Sequence, residues 1–96
     1  MTMMPETKVD IKGYKGLYSI DNYGRVYSHL SNKTLSPALN GSRRYQVFLV
    51  DPQGGKKWRH VDELVLASFG FPARGRKVTH KNGDPFDNRL GNLMFE

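Results

Sequence analysis

Glycine and proline break this chain too often for a helical bundle. Ten glycines and five prolines are scattered through 96 residues, so its regular elements must be short and joined by many turns. One segment escapes that rule. Val61, Leu64, Val65 and Ser68 recur at helical spacing, Leu66, Ala67 and Phe69 widen the apolar stripe, and Gly70 closes it. Asp62 and Glu63 stand in its first turn, where the positive end of a helix favours acids. Elsewhere the pattern is that of strands. Leu17, Ser19 and Val26, Ser28 flank an Asn/Gly turn and predict a hairpin. Arg44–Val50 is the strongest strand, with Tyr45, Val47 and Leu49 on one side and Phe48 and Val50 on the other. Asp51-Pro52-Gln53-Gly54-Gly55 turns it back onto a strand running from Lys56 to Val61. Residues 31–42 read as a loop with one short strand around Leu35, and residues up to about Lys8 as a disordered lead. The expected fold is α+β, a small single domain over residues 1–96 with short antiparallel hairpins and one core helix.

Composition narrows the function classes. A hydrophobic fraction of 38% and a mean hydropathy of −0.62 leave a small, aromatic-assisted core. The absence of cysteine excludes a disulfide framework and a cysteine-ligated zinc site, and fits a reducing compartment. No apolar run approaches the roughly 20 residues of a membrane span, and the first residues lack the charged and apolar regions of a signal peptide. A soluble cytoplasmic protein with no membrane partner is expected. The net charge of +6 and pI near 9.8 point to a polyanion, nucleic acid first. Arg43, Arg44, Lys56, Lys57, Arg59, Arg74, Arg76 and Lys77 cluster beside predicted strand ends and are the candidate DNA contacts. No Ser-His-Asp order, P-loop or dinucleotide motif is present.

The chemistry concentrates in Val78–Leu93. His80 leaves a strand, Asn82-Gly83 marks a tight turn, and Asp84-Pro85 forbids an immediate helix because the residue before proline is pushed out of the α region. From Asp87 a short run to Leu93 puts Asn88 and Asn92 four apart, on one face of an expected helix. A base on a strand facing two amide oxygens on a helix suits a one-metal phosphodiesterase site.

The spacing His80, Asn82-Gly83-Asp84, Asp87-Asn88, Asn92-Leu93 resembles the phage-type HNH endonuclease family, roughly V-x-H-x-(N/D)-G-(N/D)-x-x-(D/N)-N-x-x-x-N-L. That resemblance implies a ββα-metal motif over about 56–96, gripping one divalent cation, Mg2+ or in its place Mn2+, and hydrolysing double-stranded DNA. Carried over residue by residue, His80 is the general base and Asn92 the first metal ligand. Asn88 is a second ligand or a catalytic hydrogen-bond partner. Asn82 and Asp84 fix the hairpin or reach the metal through water. Thr79 stands at the metal-binding place before the histidine, where the family often has an acid or amide, and a hydroxyl is a poor ligand for a hard cation. Asp87 compensates for that or caps the helix start. Weak or strongly metal-dependent cleavage is therefore expected, with an inactive basic DNA-binding module as the alternative.

A second resemblance covers about 9–50. Gly13-Tyr14-x-Gly16-x-Tyr18-x-Ile20-x-Asn22-x-Gly24-Arg25-Val26 is similar to the nuclease-associated modular domain of homing endonucleases, with Asp21 in a frequent serine place and no upstream tryptophan. Val61–Phe69 is also similar to the helix before the HNH hairpin, except that Asp62-Glu63 replaces a frequent His-Arg pair. The resemblance implies a phage protein acting in the host cytoplasm, with a small DNA footprint unless the chain forms a homodimer. His29 and His60 lack surrounding oxygen donors, and Trp58 is expected to be a partly buried anchor.

Overall fold

The tyrosine-bearing N-terminal half folds into a four-stranded antiparallel sheet in the order β1-β2-β3-β4. A computed structural model describes residues 5–96. The strands are β1 (Lys8–Asp10), β2 (Tyr18–Asp21), β3 (Val26–Ser28) and β4 (Lys33–Thr34). Strand β1 departs from the expected disordered lead. Its start is tied down by Asn22, whose Oδ1 accepts the Thr7 N–H at 2.9 Å and whose Nδ2 donates to the Pro5 carbonyl at 3.0 Å; the rest of that lead, residues 1–4, lies outside the described residues. Tyr14 and Tyr18 are buried edge to face, with ring centroids 5.8 Å apart. These two tyrosines therefore serve packing.

The β2–β3 turn is organised by Asp21, which is 1% exposed. Its Oδ1 accepts the backbone N–H groups of Tyr23 and Arg25, each at 2.9 Å, and its Oδ2 accepts Arg25 Nε at 2.6 Å. Burial alone would raise this carboxyl. The bonds from Arg25 and Tyr23 outweigh it and hold Asp21 below the usual carboxylate range. A serine at this place could accept fewer of these bonds.

A second sheet, β5-β6-β7, comprises β5 (Ala38–Leu39), β6 (Tyr45–Val50) and β7 (Lys56–His60). Residues 31–42 thus carry two two-residue strands, β4 and β5, where one was expected around Leu35. Alternation along β6 is as read from the sequence: Val47 and Leu49 are buried, and Phe48 is exposed. Trp58, expected as a partly buried anchor, is only half covered. It pairs across the ladder with Phe48 on the outward face, ring centroids 5.1 Å apart, and is 51% exposed.

Helix α1 (Val61–Ser68) follows β7 without a loop. Val61, Leu64, Val65 and Leu66 are buried against Ile11, Ile20, Val26 and Leu49 in one cluster. Each fully buried aliphatic side chain there contributes about 1.5–3 kcal/mol. The chain ends in a two-stranded hairpin of β8 (Val78–His80) and β9 (Leu93–Phe95), which meets the core through Leu93. No helix among the described residues is long and apolar enough to cross a membrane.

Candidate active site

His80 is the last residue of β8, and its pairing with Leu93 fixes which face its ring presents. The turn that follows is sharp. Gly83 sits at φ +76°, a left-handed conformation that glycine adopts freely, and its N–H donates to the His80 carbonyl at 2.9 Å.

The segment between β8 and β9 is held by polar side chains rather than by helical bonds. Asn82 and Asn92 form a reciprocal clasp: Asn92 Oδ1 accepts the Asn82 backbone N–H at 3.1 Å, and Asn92 Nδ2 donates to Asn82 Oδ1 at 3.0 Å. Asn92 Nδ2 also donates to the Asp87 carbonyl at 2.9 Å, and Asn82 Nδ2 to Asp87 Oδ2 at 2.9 Å. Arg89 grips Asp87 through Nε at 2.8 Å and a second guanidinium nitrogen at 2.7 Å. That charge-assisted bond, with lesser help from the Arg89 N–H and Asn82, holds the Asp87 carboxyl down at about 2.

The expected helix from Asp87 to Leu93 is therefore corrected. Only Leu90–Asn92 makes a single 3-10 turn, and Asn88 and Asn92 do not share a helical face. The run is too short to nucleate an α-helix, and its amide groups are spent elsewhere. The Leu90 N–H donates to the Asn22 carbonyl at 2.8 Å, which binds the loop to the β2–β3 turn. Asp87 is accordingly not a helix cap.

Asn88, 6% exposed, points inward, and its Oδ1 lies 2.8 Å from His80 Nε2. With the amide in this orientation its oxygen accepts, so Nε2 carries a proton, and in the neutral ring Nδ1 keeps its lone pair. Asn88 is itself wedged against Gly24 of the N-terminal sheet. A Cβ at Gly24, whose φ is +88°, would lie 2.9 Å from the Asn88 carbonyl oxygen and 3.0 Å from its Cβ.

Beside the His80 ring lies a residue that the sequence marked only as a helix-start acid. Asp62, 3% exposed, places Oδ2 at 3.9 Å from His80 Nε2. Arg44 reaches in from just before β6 and binds both oxygens, at 2.7 and 3.2 Å, and also reaches Glu63 at 3.2 Å. Burial would lower the Arg44 guanidinium, but its bonds to Asp62 and Glu63 raise it above its ordinary value. The only signal in the sequence was the departure of Asp62-Glu63 from the His-Arg pair. Nothing linked Asp62 to Arg44, eighteen residues earlier.

The other candidate residues divide. Arg44 is turned to the buried acid and is not among the free cations. Arg59 stacks on Tyr14 and donates to its hydroxyl at 3.3 Å, and Arg76 lies over the Phe95 ring. Arg43, Lys56, Lys57, Arg74, Arg76 and Lys77 are exposed. Thr79 donates its hydroxyl to a Glu96 carboxylate oxygen at 3.1 Å. His29 is bonded to Ser19 Oγ at 2.7 Å, and His60 sits at the N-cap of α1.

The donor set does not fit a complete cation shell. Among the described residues no three His, Asp or Glu side chains stand close enough to hold a metal ion. The expected ligand oxygens are already bonded: Asn88 Oδ1 to His80 and Asn92 Oδ1 to Asn82.

Comparison with known proteins agrees with this architecture. The NUMOD4 motif matches residues 9–49. DNA endonuclease I-HmuI of Bacillus phage SP01 is 40% identical over 91 residues, covering 90% of this chain and 49% of that protein. An uncharacterized HNH endonuclease, L247 of Acanthamoeba polyphaga mimivirus, is 29% identical over 91 residues, 92% of this chain and 22% of that one. A solved structure described as DNA binding and cleavage by the HNH homing endonuclease I-HmuI superposes with a TM-score of 0.85 at 34% identity, over 94% of this chain and 52% of that one. The chain spans about half the length of I-HmuI, and less of L247. It carries the NUMOD4 motif and is a homologue of the HNH homing endonuclease I-HmuI over the part that it spans.

Proposed function

We propose that this chain acts on double-stranded DNA as an endonuclease, with His80 as the general base that takes a proton from the attacking water. The observation that carries this is the 2.8 Å bond from His80 Nε2–H to Asn88 Oδ1, which leaves Nδ1 as the basic atom of a ring only 11% exposed. A general base needs a fixed tautomer and a free lone pair, and is worth typically 10²–10⁴-fold in rate. Asn88 acts as the partner that orients the ring, and the Asn82–Asn92 clasp holds the loop that carries Asn88. The exposed cations Arg43, Lys56, Lys57, Arg74, Arg76 and Lys77 supply the attraction for phosphate.

A second reading, a DNA-binding module without cleavage, is favoured by Thr79, whose neutral hydroxyl is bonded to Glu96. Supercoiled plasmid incubated with magnesium, with manganese and with chelator separates the two. The endonuclease reading expects nicking that His80→Ala abolishes with an unchanged melting curve. Duplex binding without nicking in either metal would establish the second reading.

A further inference from the structure

Asp62 is an expensive residue to bury, and its contacts show an orientation beyond simple neutralisation. Arg44 binds Oδ1 at 2.7 Å and Oδ2 at 3.2 Å, and the Glu63 N–H adds a bond to Oδ1 at 2.7 Å. The carboxylate is thereby clamped on α1 with Oδ2 turned to the proton-bearing side of His80, 3.9 Å from Nε2. A buried carboxylate is disfavoured unless paired and hydrogen-bonded, and Arg44 supplies that pairing. The groups facing the Nε2 side of the ring are then Asn88 from the loop and Asp62 from α1, with Arg44 and Glu63 behind the acid.

Resting on the reading of His80 as the base, we propose that Asp62, clamped by Arg44, is a positioning residue that keeps the His80 proton on Nε2. At 3.9 Å the carboxylate makes no hydrogen bond, and it acts through charge. A fixed negative charge on one side of a neutral imidazole favours the tautomer whose N–H points toward it, and in a dry site this field is poorly screened. Asn88 alone cannot guarantee the tautomer, because a side-chain amide that turns over presents a donor instead of an acceptor. Asp62 penalises that turned state: Nδ1 would carry the proton, and the bare Nε2 lone pair would face an anion. The arrangement keeps Nδ1 available to the reacting water.

Asp62→Asn tests this, since it removes the charge and keeps the shape. Nitrogen-15 NMR of the His80 ring, at a pH where the ring is neutral, should show one Nε2–H tautomer in the wild type and a mixture in the variant. Plasmid nicking should fall about tenfold, less than the roughly 10²–10⁴-fold worth of the base itself because part of the ring population keeps the productive tautomer, with duplex affinity unchanged. Because Asp62→Asn leaves Arg44 without its partner, the double variant Arg44→Met with Asp62→Asn supplies a neutral, foldable background. It should melt above Arg44→Met alone and still show mixed tautomers. A single Nε2–H tautomer in a folded Asp62→Asn or double variant would overturn the proposal, whatever the nicking rate. The tautomer readout needs no activity. If His80 proves not to be the base, wild-type nicking survives His80→Ala while the tautomer result stands on its own.

Discussion

The contact between Gly24 and Asn88 makes the N-terminal sheet answerable for the geometry of the site, and one pair of substitutions isolates it. Gly24 and Gly13 have nearly the same backbone conformation, φ +88° and +87°, but a Cβ at Gly13 meets nothing within 4 Å. Alanine at either position carries the same strain, about 1–2 kcal/mol for an L-residue in the left-handed region. At Gly24 the new methyl also meets the Asn88 carbonyl oxygen at 2.9 Å, and backbone cannot rotate away as a flexible side chain can. Overpacking of that kind typically adds about 1–3 kcal/mol. At roughly 4–8 °C per kcal/mol for a domain of this size, Gly24→Ala should melt roughly 4–24 °C below Gly13→Ala. The clash also pushes the residue that holds His80, and displacements near 1 Å can reduce a rate by as much as about 10²-fold. Thermal unfolding followed by circular dichroism gives the first quantity. Plasmid nicking, measured where both variants are fully folded, gives the second. Equal melting temperatures, or equal nicking by the two folded variants, would refute the idea that the turn at Gly24 supports Asn88.

Two further outcomes follow from the charges. Asp87 is held at about 2 by Arg89, below its ordinary value, so its stabilisation is present above the unfolded carboxyl range and is lost as pH falls toward 2. Arg89→Ala should remove that acid resistance, so that melting temperatures of the two proteins differ at pH 5 and converge near pH 2; a constant difference across that range would argue against it. Duplex affinity should fall steeply with salt, and replacing Arg74 and Arg76 together by alanine should flatten the log–log slope by about 1.8, from about −0.9 per phosphate contact. Fluorescence anisotropy on a short duplex measures the slope, and one unmoved by the double variant would place the DNA away from that loop.

Much of the fold was legible because its signals are local. The stripe Val61–Phe69 specified α1, alternation at Val47, Phe48 and Leu49 specified the faces of β6, and Asn82-Gly83 specified its turn. The failures share a cause. A helix was expected at Asp87–Leu93 because Asn88 and Asn92 have helical spacing, but Asn22, sixty-eight residues before Leu90 in the sequence, claims the amide the helix would use. Trp58 was expected to be a partly buried anchor and is half covered, on the outward face that strand register and pairing with Phe48 give it. Arg44 looked like a DNA contact because it adjoins Arg43; its partner Asp62 is close only in three dimensions. His80 and Asn88 were visible as residues, but their mutual bond depends on the β2–β3 turn pressing from the other side.

The clasp between Asn82 and Asn92 is built from uncharged amides. Counterions weaken attraction between exposed charges over a distance of about 10 Å at 0.1 M salt, yet they have little hold on a pair of neutral amide bonds that are partly shielded from water. Salt strong enough to weaken the proposed attraction for duplex DNA should therefore leave the Asn82–Asn92 clasp beside His80 intact, so that attraction for the polymer and the shape of that clasp are governed by different properties of the solvent.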